Sequence, residues 1–200
     1  MGKIKYISKI RRFLKESPVV DINSLKKFIK KNNKEYIYLL INNLLKKKEI
    51  KQLTKGYYTI HEDPSLIVFC FKPSYLGLQN ALSFHALWEQ ETNPVILTTK
   101  NTRKGIRKVF GRNIIIRKLN KKYFFGFDYY LDGDFYLPYS DIEKTLIDML
   151  YFKQPIDNEI INNFKKKLNK TKLKTYLKNY PKKFQKRVLK VLNNKSAKKN

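Results

Sequence analysis

Three segments near the N-terminus carry apolar residues at helical spacing, and each predicts a short amphipathic helix. They cover residues 4–15, 21–29 and 34–47. Their apolar positions are Ile4, Ile7, Ile10, Phe13 and Leu14, then Leu25, Phe28 and Ile29, then Ile37, Leu40, Ile41, Leu44 and Leu45. Asp21 and Asn23 are residue types that cap the start of a helix. Lys31-Asn32-Asn33 separates the second and third segments with turn-forming residues.

Two strand-like runs follow the third helical segment. Glu49–Leu53 and Tyr57–Ile60 are joined by Thr54-Lys55-Gly56, and glycine there suits a tight hairpin turn. Helix, turn, helix and basic hairpin occur in the order of a winged helix-turn-helix, which places its second helix in the major groove of DNA. We therefore predict such a domain over residues 1–61, followed by a linker at 61–64.

The face of segment 34–47 opposite its apolar stripe is the predicted DNA-reading surface, with basic residues before it and in the hairpin. Asn side chains can read adenine through two hydrogen bonds, whereas Lys mostly contacts phosphate or guanine. For any single residue, a solvated surface in a Lys- and Asn-rich chain remains the alternative. The candidate DNA-binding residues are Lys31, Lys34, Tyr38, Asn42, Lys46, Lys51 and Lys55.

The rest of the chain predicts an α+β domain over residues 65–194. The expected helices cover 65–71, 76–88, 140–152, 158–168, 172–179 and 182–192, and the expected strands cover 95–99, 113–119, 123–131 and 135–137. The strands suggest a small, largely antiparallel sheet, and the C-terminal part is helical. Ser140 and Glu143 match a capping box at the start of helix 140–152. Residues 195–200 read as a disordered basic tail.

Composition adds a strong charge imbalance. The chain of 200 residues has 44 Lys and Arg against 16 Asp and Glu, a net charge of +28, with 42% hydrophobic residues. A packed core is therefore available, and the excess positive charge calls for a polyanionic partner. The longest apolar run, Leu66–Phe71, cannot span a bilayer, and the N-terminus lacks a signal-peptide core. We expect a cytoplasmic protein with no membrane partner.

The sequence contains no recognisable catalytic or metal-binding arrangement. Cys70 has no cysteine to pair with, and His85 has no metal-ligand partner at suitable spacing, so both read as packed core residues. Asp132 and Asp134 resemble half of a two-metal nuclease site, but an Asp-Gly turn explains them without chemistry. No phosphate-binding glycine loop is present. We predict no enzyme activity, no metal and no cofactor.

Three stretches in chain order resemble the AbiEi-type antitoxins of type IV toxin–antitoxin systems, over about residues 3–155. The first closes the predicted winged helix with Glu49-Ile50 and then residues 55–60 (KGYYTI). The second is residues 80–87 (NALSFHAL) followed by 94–99 (PVILTT), and the third is residues 140–151 (SDIEKTLIDMLY). The chain departs from the family pattern at Lys48, where a glycine is common, and at Ile142, where a proline is common.

The resemblance implies a transcriptional autorepressor that binds its own operator and also counteracts a nucleotidyltransferase toxin, without any need to bind that toxin directly. It transfers no catalytic residue. An RNA-binding or RNA-processing accessory protein is the alternative, because Tyr and Phe alternate loosely with Lys between residues 121 and 130 and could stack on bases. A nuclease fused to a winged helix is a third hypothesis, resting on Asp132 and Asp134.

Overall fold

The computed structural model describes residues 6–29 and 34–193, and these residues form an α+β structure. The chain divides into two compact units. The first runs to Phe71 and includes Lys108–Arg112, and the second comprises Lys72–Arg107 and the chain from Asn113 onward. The expectations for Ile4, Lys31 and the tail 195–200 lie outside the described residues. Within the described ranges, no helix is both long and apolar enough to cross a membrane.

The first unit contains three helices and a three-stranded sheet. Its elements are α1 (Ile7–Glu16), β1 (Val20–Asp21), α2 (Ile22–Ile29), α3 (Lys34–Lys46), β2 (Lys51–Thr54), β3 (Tyr57–Thr59) and a 3₁₀ segment, η1 (Pro64–Phe71). The sheet order is β1-β3-β2, and both pairings are antiparallel. The three helices and the hairpin were predicted from the sequence, whereas the two-residue strand β1 was not.

Local side-chain chemistry explains where α2 begins and where the hairpin turns. The Asp21 carboxylate accepts hydrogen bonds from the backbone N–H groups of Asn23 and Ser24 at 2.8 and 3.1 Å, which satisfies donors at the start of the helix. Asp21 is therefore the capping residue, and Asn23 lies inside α2. Gly56 has φ of +82°, the left-handed conformation that the tight β2–β3 turn requires.

The apolar stripe of α3 faces the core of the first unit, as its spacing predicted. The fully buried residues of this core are Ile10, Leu14, Val20, Leu25, Ile37, Leu40, Ile41 and Leu44. Ile50 and Tyr58 are also buried there, with slightly more exposed surface. Phe13 and Phe28 stack with ring centroids 4.6 Å apart and join α1 to α2. Outside the core, the Arg11 guanidinium donates two hydrogen bonds to the Glu49 carboxylate, at 2.7 and 2.8 Å.

Helix α3 ends in a Schellman motif with a lysine at the left-handed position. Lys48 has φ of +56°, its N–H donates to the carbonyl of Leu45 at 2.9 Å, and the N–H of Glu49 donates to the carbonyl of Leu44 at 3.0 Å. Glycine usually occupies this position because it has no Cβ to clash. Lys48 therefore adopts the backbone conformation that a glycine usually takes at this position, with some strain, and the helix still ends there.

The segment after the hairpin belongs with the first unit. Residues 61–64 were expected to be a linker, but η1 packs against β2 and places Leu66, Ile67, Val68 and Cys70 in the buried interior. Asp63 accepts a hydrogen bond from the N–H of Ser65 at 2.8 Å at the start of η1. The continuous N-terminal part of the first unit therefore ends at Phe71, and a domain boundary near residue 61 remains a prediction.

The second unit is built on a six-stranded sheet with helices, except that the tip of the β6–β7 hairpin, Lys108–Arg112, is grouped with the first unit. Its strands are β4 (Ser74–Leu76), β5 (Val95–Thr98), β6 (Gly105–Val109), β7 (Arg112–Lys118), β8 (Phe127–Asp132) and β9 (Phe135–Ser140), in the order β6-β7-β5-β4-β9-β8. Its helices are α4 (Gln79–Phe84), α5 (Ile142–Tyr151), α6 (Asn158–Lys167), α7 (Lys170–Leu177) and α8 (Lys182–Asn193), with a 3₁₀ turn at Lys121–Tyr123.

The sheet is mixed, whereas the sequence suggested a small and largely antiparallel one. Strands β4 and β5 pair antiparallel, as do β8 and β9, but β4 pairs parallel to β9 and β5 pairs parallel to β7. Strand β4 ends at Leu76, the first residue of the stretch 76–88 that was expected to be one helix, and within that stretch α4 covers only Gln79–Phe84. Its hydrophobic run does not distinguish a buried strand from a buried helix, because both faces are covered.

The cap of α5 differs from the predicted Ser140–Glu143 box by one residue. The Asp141 carboxylate caps the helix by accepting from the N–H of Lys144 at 2.7 Å. Ser140 is the last residue of β9, and its hydroxyl pairs with that of Thr145 at 2.8 Å. The Glu143 carboxylate accepts from the backbone N–H of Asn169 at 2.7 Å and so ties α5 to the start of α7.

Candidate nucleic-acid interface

The solvent face of α3 is the strongest candidate surface in the first unit. Tyr38 is 46% exposed, Leu39 is 55% exposed, and Asn42 and Lys46 are also exposed. A helix buries one stripe and leaves the other to solvent, so the buried positions of α3 fix which side chains point outward. The structure thus brings Tyr38, Asn42 and Lys46 onto one accessible face, with Leu39 as an apolar member that the sequence analysis did not name.

Two further candidates are the lysines before α3 and at its start. Lys31 lies outside the described residues, and Lys34 is the first residue of α3. At the other end of the helix, Lys47 and Lys48 are exposed and extend the positive charge of Lys46. Lys47 and Lys48 were not among the predicted DNA-binding residues, although their direct succession to Lys46 was the available signal.

The two hairpin lysines differ in their surroundings. Lys51 is half-buried and forms an ion pair with Glu62. Lys55 lies at the exposed turn beside Gly56. A lysine that already has a carboxylate partner must give up that partner to bind phosphate, so Lys55 is the better placed of the two.

An ion pair also removes Arg11 from the set of available cations. The hydrogen bonds from Arg11, with its charge, hold the pKa of Glu49 below its usual range, so the carboxylate stays ionised and neutralises the guanidinium. This pair joins α1 to the segment after α3 and therefore positions the helix next to the hairpin. We assign it a structural role.

The second unit contains a buried polar cluster on α5. Lys144 and Asp148 form an ion pair, and neither side chain is exposed. The Tyr75 hydroxyl donates to Asp148 at 2.7 Å, and the Lys144 ammonium donates to the Tyr180 hydroxyl at 3.2 Å. The ammonium also lies 5.2 Å from the ring centroid of Phe125. These partners satisfy a charge pair that would otherwise be costly to bury.

Burial dominates the titration behaviour of this cluster. Removal from water lowers the pKa of Lys144 and raises the pKa of Asp148, and each charge partly offsets the shift of the other. Burial, with the nearby Asp148 charge, raises the pKa of Tyr75 well above its usual value and also raises that of Tyr180. Both tyrosines therefore remain protonated donors or acceptors, and the cluster is closed to solvent.

A second polar layer surrounds the start of α5. Besides capping the helix, Asp141 accepts from the Tyr176 hydroxyl at 2.7 Å and pairs with the Lys172 ammonium at 2.9 Å. Burial and the hydrogen bond to Asp141 raise the pKa of Tyr176 to about 12. The Lys172 ammonium is also 3.5 Å from the Glu143 carboxylate. Asp141 and Glu143, which belong to the stretch 140–151 that resembles the antitoxin family, therefore hold α5 and α7 together.

His85 has the packed role expected from its sequence context. Its Nε2 lies 2.7 Å from the carbonyl oxygen of Ser140, which makes Nε2 the protonated donor. Burial lowers the pKa of the imidazole. The ring makes edge contacts with Phe84 and Tyr130, with centroids 5.1 and 5.7 Å away. His85 is thus neutral and joins α4 to the end of β9.

Several residues behind the two alternative hypotheses have structural roles. Asp132 accepts a hydrogen bond from the Tyr139 hydroxyl at 2.6 Å, and Gly133 turns the chain with φ of +57°. In the part of the chain that the structure describes, no group of three His, Cys, Asp or Glu side chains could hold a metal ion. Tyr123, part of the supposed base-stacking segment, is buried and stacks on Tyr180 with centroids 4.2 Å apart.

Comparison with known proteins identifies a shared fold and nothing narrower. No family model matches the chain, and no curated protein matches it. The crystal structure of the RV2827C protein from Mycobacterium tuberculosis is similar, with a TM-score of 0.58 and 14% sequence identity. The match covers 93% of this chain and 74% of the other. At this identity the likeness concerns the fold alone.

Proposed function

We propose that the protein is a DNA-binding autorepressor and the antitoxin of a type IV toxin–antitoxin system. The first unit would act as a winged helix-turn-helix, with α2 and α3 as its helix pair and the β2–β3 hairpin as its wing. One observation carries the DNA-binding half of this proposal. The face of α3 opposite its buried stripe presents an amide, a phenol and a lysine to solvent, in a chain with a net charge of +28.

In this proposal α3 lies in the major groove. Asn42 is the residue best suited to pair with an adenine edge, while Tyr38 contacts bases or sugar beside it. Lys46 and the adjacent Lys47 and Lys48 face phosphates at the end of the helix, and Lys55 contacts phosphate from the wing. Lys51 contributes less because Glu62 already neutralises it.

The antitoxin half of the proposal rests on the resemblance to the AbiEi-type antitoxins. The most distinctive stretch, residues 140–151, forms the cap and buried face of α5, so its acidic residues serve the fold of the second unit. No catalytic role is needed for them. The partners implied are the protein's own operator and a nucleotidyltransferase toxin that is counteracted without obligatory contact.

A salt titration with duplex DNA tests the DNA-binding half. The upstream DNA of the protein's own gene and a shuffled duplex of equal length and composition are compared by fluorescence anisotropy. If roughly 6 to 10 phosphates are contacted, log K falls against log salt with a slope of about −5 to −9, and the native duplex binds more tightly at every salt concentration. A slope near zero, or equal affinity for both duplexes, would contradict the proposal, and tighter binding to a matched RNA would favour the RNA-binding alternative.

The antitoxin half is tested in cells by co-expression with the nucleotidyltransferase that this proposal expects in the adjacent reading frame, under a promoter that the protein does not control. Rescue of growth under that promoter separates antitoxin activity from repression. Growth arrest that persists with full-length protein present would remove the antitoxin assignment and leave the DNA-binding assignment standing.

A further inference from the structure

The hairpin formed by β8 and β9 exposes three large apolar side chains side by side. Its antiparallel register pairs Leu131 with Tyr136 and Tyr129 with Pro138, which places Tyr129, Leu131 and Tyr136 on one face of the two strands. These side chains are 52%, 59% and 65% exposed. Adjacent exposed apolar groups of this size mark interaction surfaces on folded proteins. We call these three residues the hairpin face.

The hairpin does not need this face to hold its position. Phe127, on the same side but nearer the start of β8, stacks on Tyr75 in the core with centroids 5.0 Å apart. On the opposite side, Tyr130 packs on Phe84 with centroids 5.5 Å apart. Phe127 and Tyr130 therefore hold the hairpin against the core, whereas Tyr129, Leu131 and Tyr136 are left exposed to solvent.

The charge of this region is opposite to that of the rest of the chain. No Lys or Arg lies between Lys122 and Lys144, and the stretch holds five of the 16 acidic residues. Two of the five, Asp141 and Glu143, are buried at the start of α5 beside Lys172, so the hairpin itself carries three acidic residues, Asp128, Asp132 and Asp134, and no Lys or Arg. Asp128 and Asp134 are exposed on this hairpin. A local negative charge repels nucleic acid and attracts a basic protein surface.

The open edge of β8 is protected, so the face and not the edge is the accessible surface. Strand β8 is the last strand of the sheet, and the Asp128 carboxylate accepts a hydrogen bond from the N–H of Tyr129 at 2.8 Å. Charged side chains on an edge strand discourage another strand from pairing with it. This arrangement disfavours edge-to-edge association of two copies.

We propose that the hairpin face docks a basic segment of a partner protein that carries arginine next to aliphatic residues. The rings of Tyr129 and Tyr136 receive guanidinium groups by cation–π contact, and Leu131 receives the aliphatic side chain. Asp134 in the turn supplies complementary charge beside these side chains, and Asp128, on the reverse side of the edge strand β8, adds negative charge to the same hairpin. Tyrosine and arginine are the residue types that dominate the energy of such interfaces. The proposal goes beyond DNA binding and does not depend on it.

The test uses the full chain and a fluorescent peptide in which Arg alternates with Leu, compared with the same peptide in which Glu replaces Arg. The variants are Tyr129→Ser combined with Tyr136→Ser, and Asp128→Asn combined with Asp134→Asn. Ile106→Ser, an exposed apolar position on β6, is the matched control. Thermal unfolding of each variant verifies that it is folded, which is expected because all the altered side chains are exposed.

We expect saturable binding of the Arg peptide, weakened about tenfold by the double tyrosine change, severalfold by the double aspartate change, and not by Ile106→Ser. The Glu peptide should not bind. Absence of binding, equal binding of the two peptides, or equal weakening by Ile106→Ser would overturn the proposal. Sedimentation at increasing concentration is run alongside, and self-association that is lost in the tyrosine variant would overturn it by making a second copy the occupant.

Discussion

Lys144 and Asp148 lie one turn apart on α5 and form an ion pair that is closed to solvent on every side. The pair connects Tyr75 of β4 to Tyr180, which follows α7, through a continuous chain of hydrogen bonds. Such a cluster costs little while it is complete, because every charged atom has a partner. It becomes costly when one member is removed, since the other charge remains buried.

The first prediction concerns this pair. Asp148→Asn should destabilise the protein by about 3–5 kcal/mol, because it leaves the Lys144 ammonium buried without its counter-charge. The double change Lys144→Met with Asp148→Leu should cost less than the sum of the two single changes. Urea unfolding of the parent, Lys144→Met, Asp148→Leu and the double variant gives the coupling energy, and Lys178→Met, at an exposed position, serves as the control. Additive single effects would show that the pair is not coupled.

A second prediction concerns the end of α3. Lys48→Gly should stabilise the protein by about 1 kcal/mol, because glycine adopts the positive φ of this position without the clash that a Cβ introduces. The control is Lys47→Gly, one residue earlier, where the greater freedom of glycine should give a loss. Thermal unfolding measures both, and a gain at position 47 equal to that at 48 would point to removal of charge as the cause.

The corrected cap of α5 gives a third prediction. Asp141→Ala should cost about 2–3 kcal/mol, since it removes the cap of α5 and also the acceptor of Tyr176 and Lys172. Asp157→Ala should cost only about 1 kcal/mol, because the exposed Asp157 accepts from the N–H of Ile160 and acts as an ordinary cap. Equal losses at the two positions would mean that the partners of Asp141 beyond the cap contribute nothing.

Fourth, stability should fall as the pH drops below about 6.5 because of His85. Burial lowers the pKa of the folded imidazole below its ordinary value of 6.5, so the unfolded chain takes up the proton first. The unfolded state then binds more protons, and acid favours it, whereas above pH 6.5 this group has no effect. His85→Gln keeps a donor near the Ser140 carbonyl and removes the titration. Urea unfolding at pH 7.5 and pH 5.5 should show a smaller acid loss in this variant than in the parent.

The fifth prediction separates base reading from phosphate contact in the proposed DNA complex. Asn42→Ala should lose about 1–3 kcal/mol for the operator and little for the shuffled duplex, as base contacts do. Lys55→Ala should weaken both about equally and reduce the salt slope by about 1. Lys51→Ala should have a smaller effect than Lys55→Ala, because Lys51 is already paired with Glu62.

The outcome for Asn42 decides whether the right face of α3 has been assigned. Unchanged binding of Asn42→Ala to both duplexes would show that another surface contacts the DNA. Leu39→Ala, at an exposed apolar position on the same helix, is a useful companion variant, since it changes shape without removing a hydrogen-bonding group.

The sequence predicted best where a regular pattern extended over several turns. The buried positions of α3 followed from a spacing that repeats from Ile37 to Leu44, and burial of that stripe also fixed the exposure of Tyr38 and Asn42. The local pattern was enough there because, in a single helix, the positions of the buried residues also determine which residues are exposed.

Prediction failed where the deciding contact joins distant parts of the chain. The parallel pairing of Leu76 with Tyr139 is invisible to a local window, and so Leu76, the last residue of β4, was read as the first residue of a helix. The sequence at the start of α5 allows either Ser140 or Asp141 to cap the helix. In the structure Asp141 also receives a hydrogen bond from Tyr176 and an ion pair from Lys172, which come from a distant part of the chain. The exposed hairpin face was likewise missed, because the exposure of a strand face depends on which distant elements pack against it.

The absence of Lys and Arg around the β8–β9 hairpin has a practical consequence for mapping contacts. Trypsin cleaves after Lys and Arg, so digestion of the unfolded protein releases the whole hairpin, with both exposed tyrosines, as the single peptide 123–144. Any cross-link or footprint on Tyr129 or Tyr136 then changes the mass of that one fragment. The Lys-rich surfaces of the same protein are cut into many short pieces, so a mass spectrum separates the two regions without mutation.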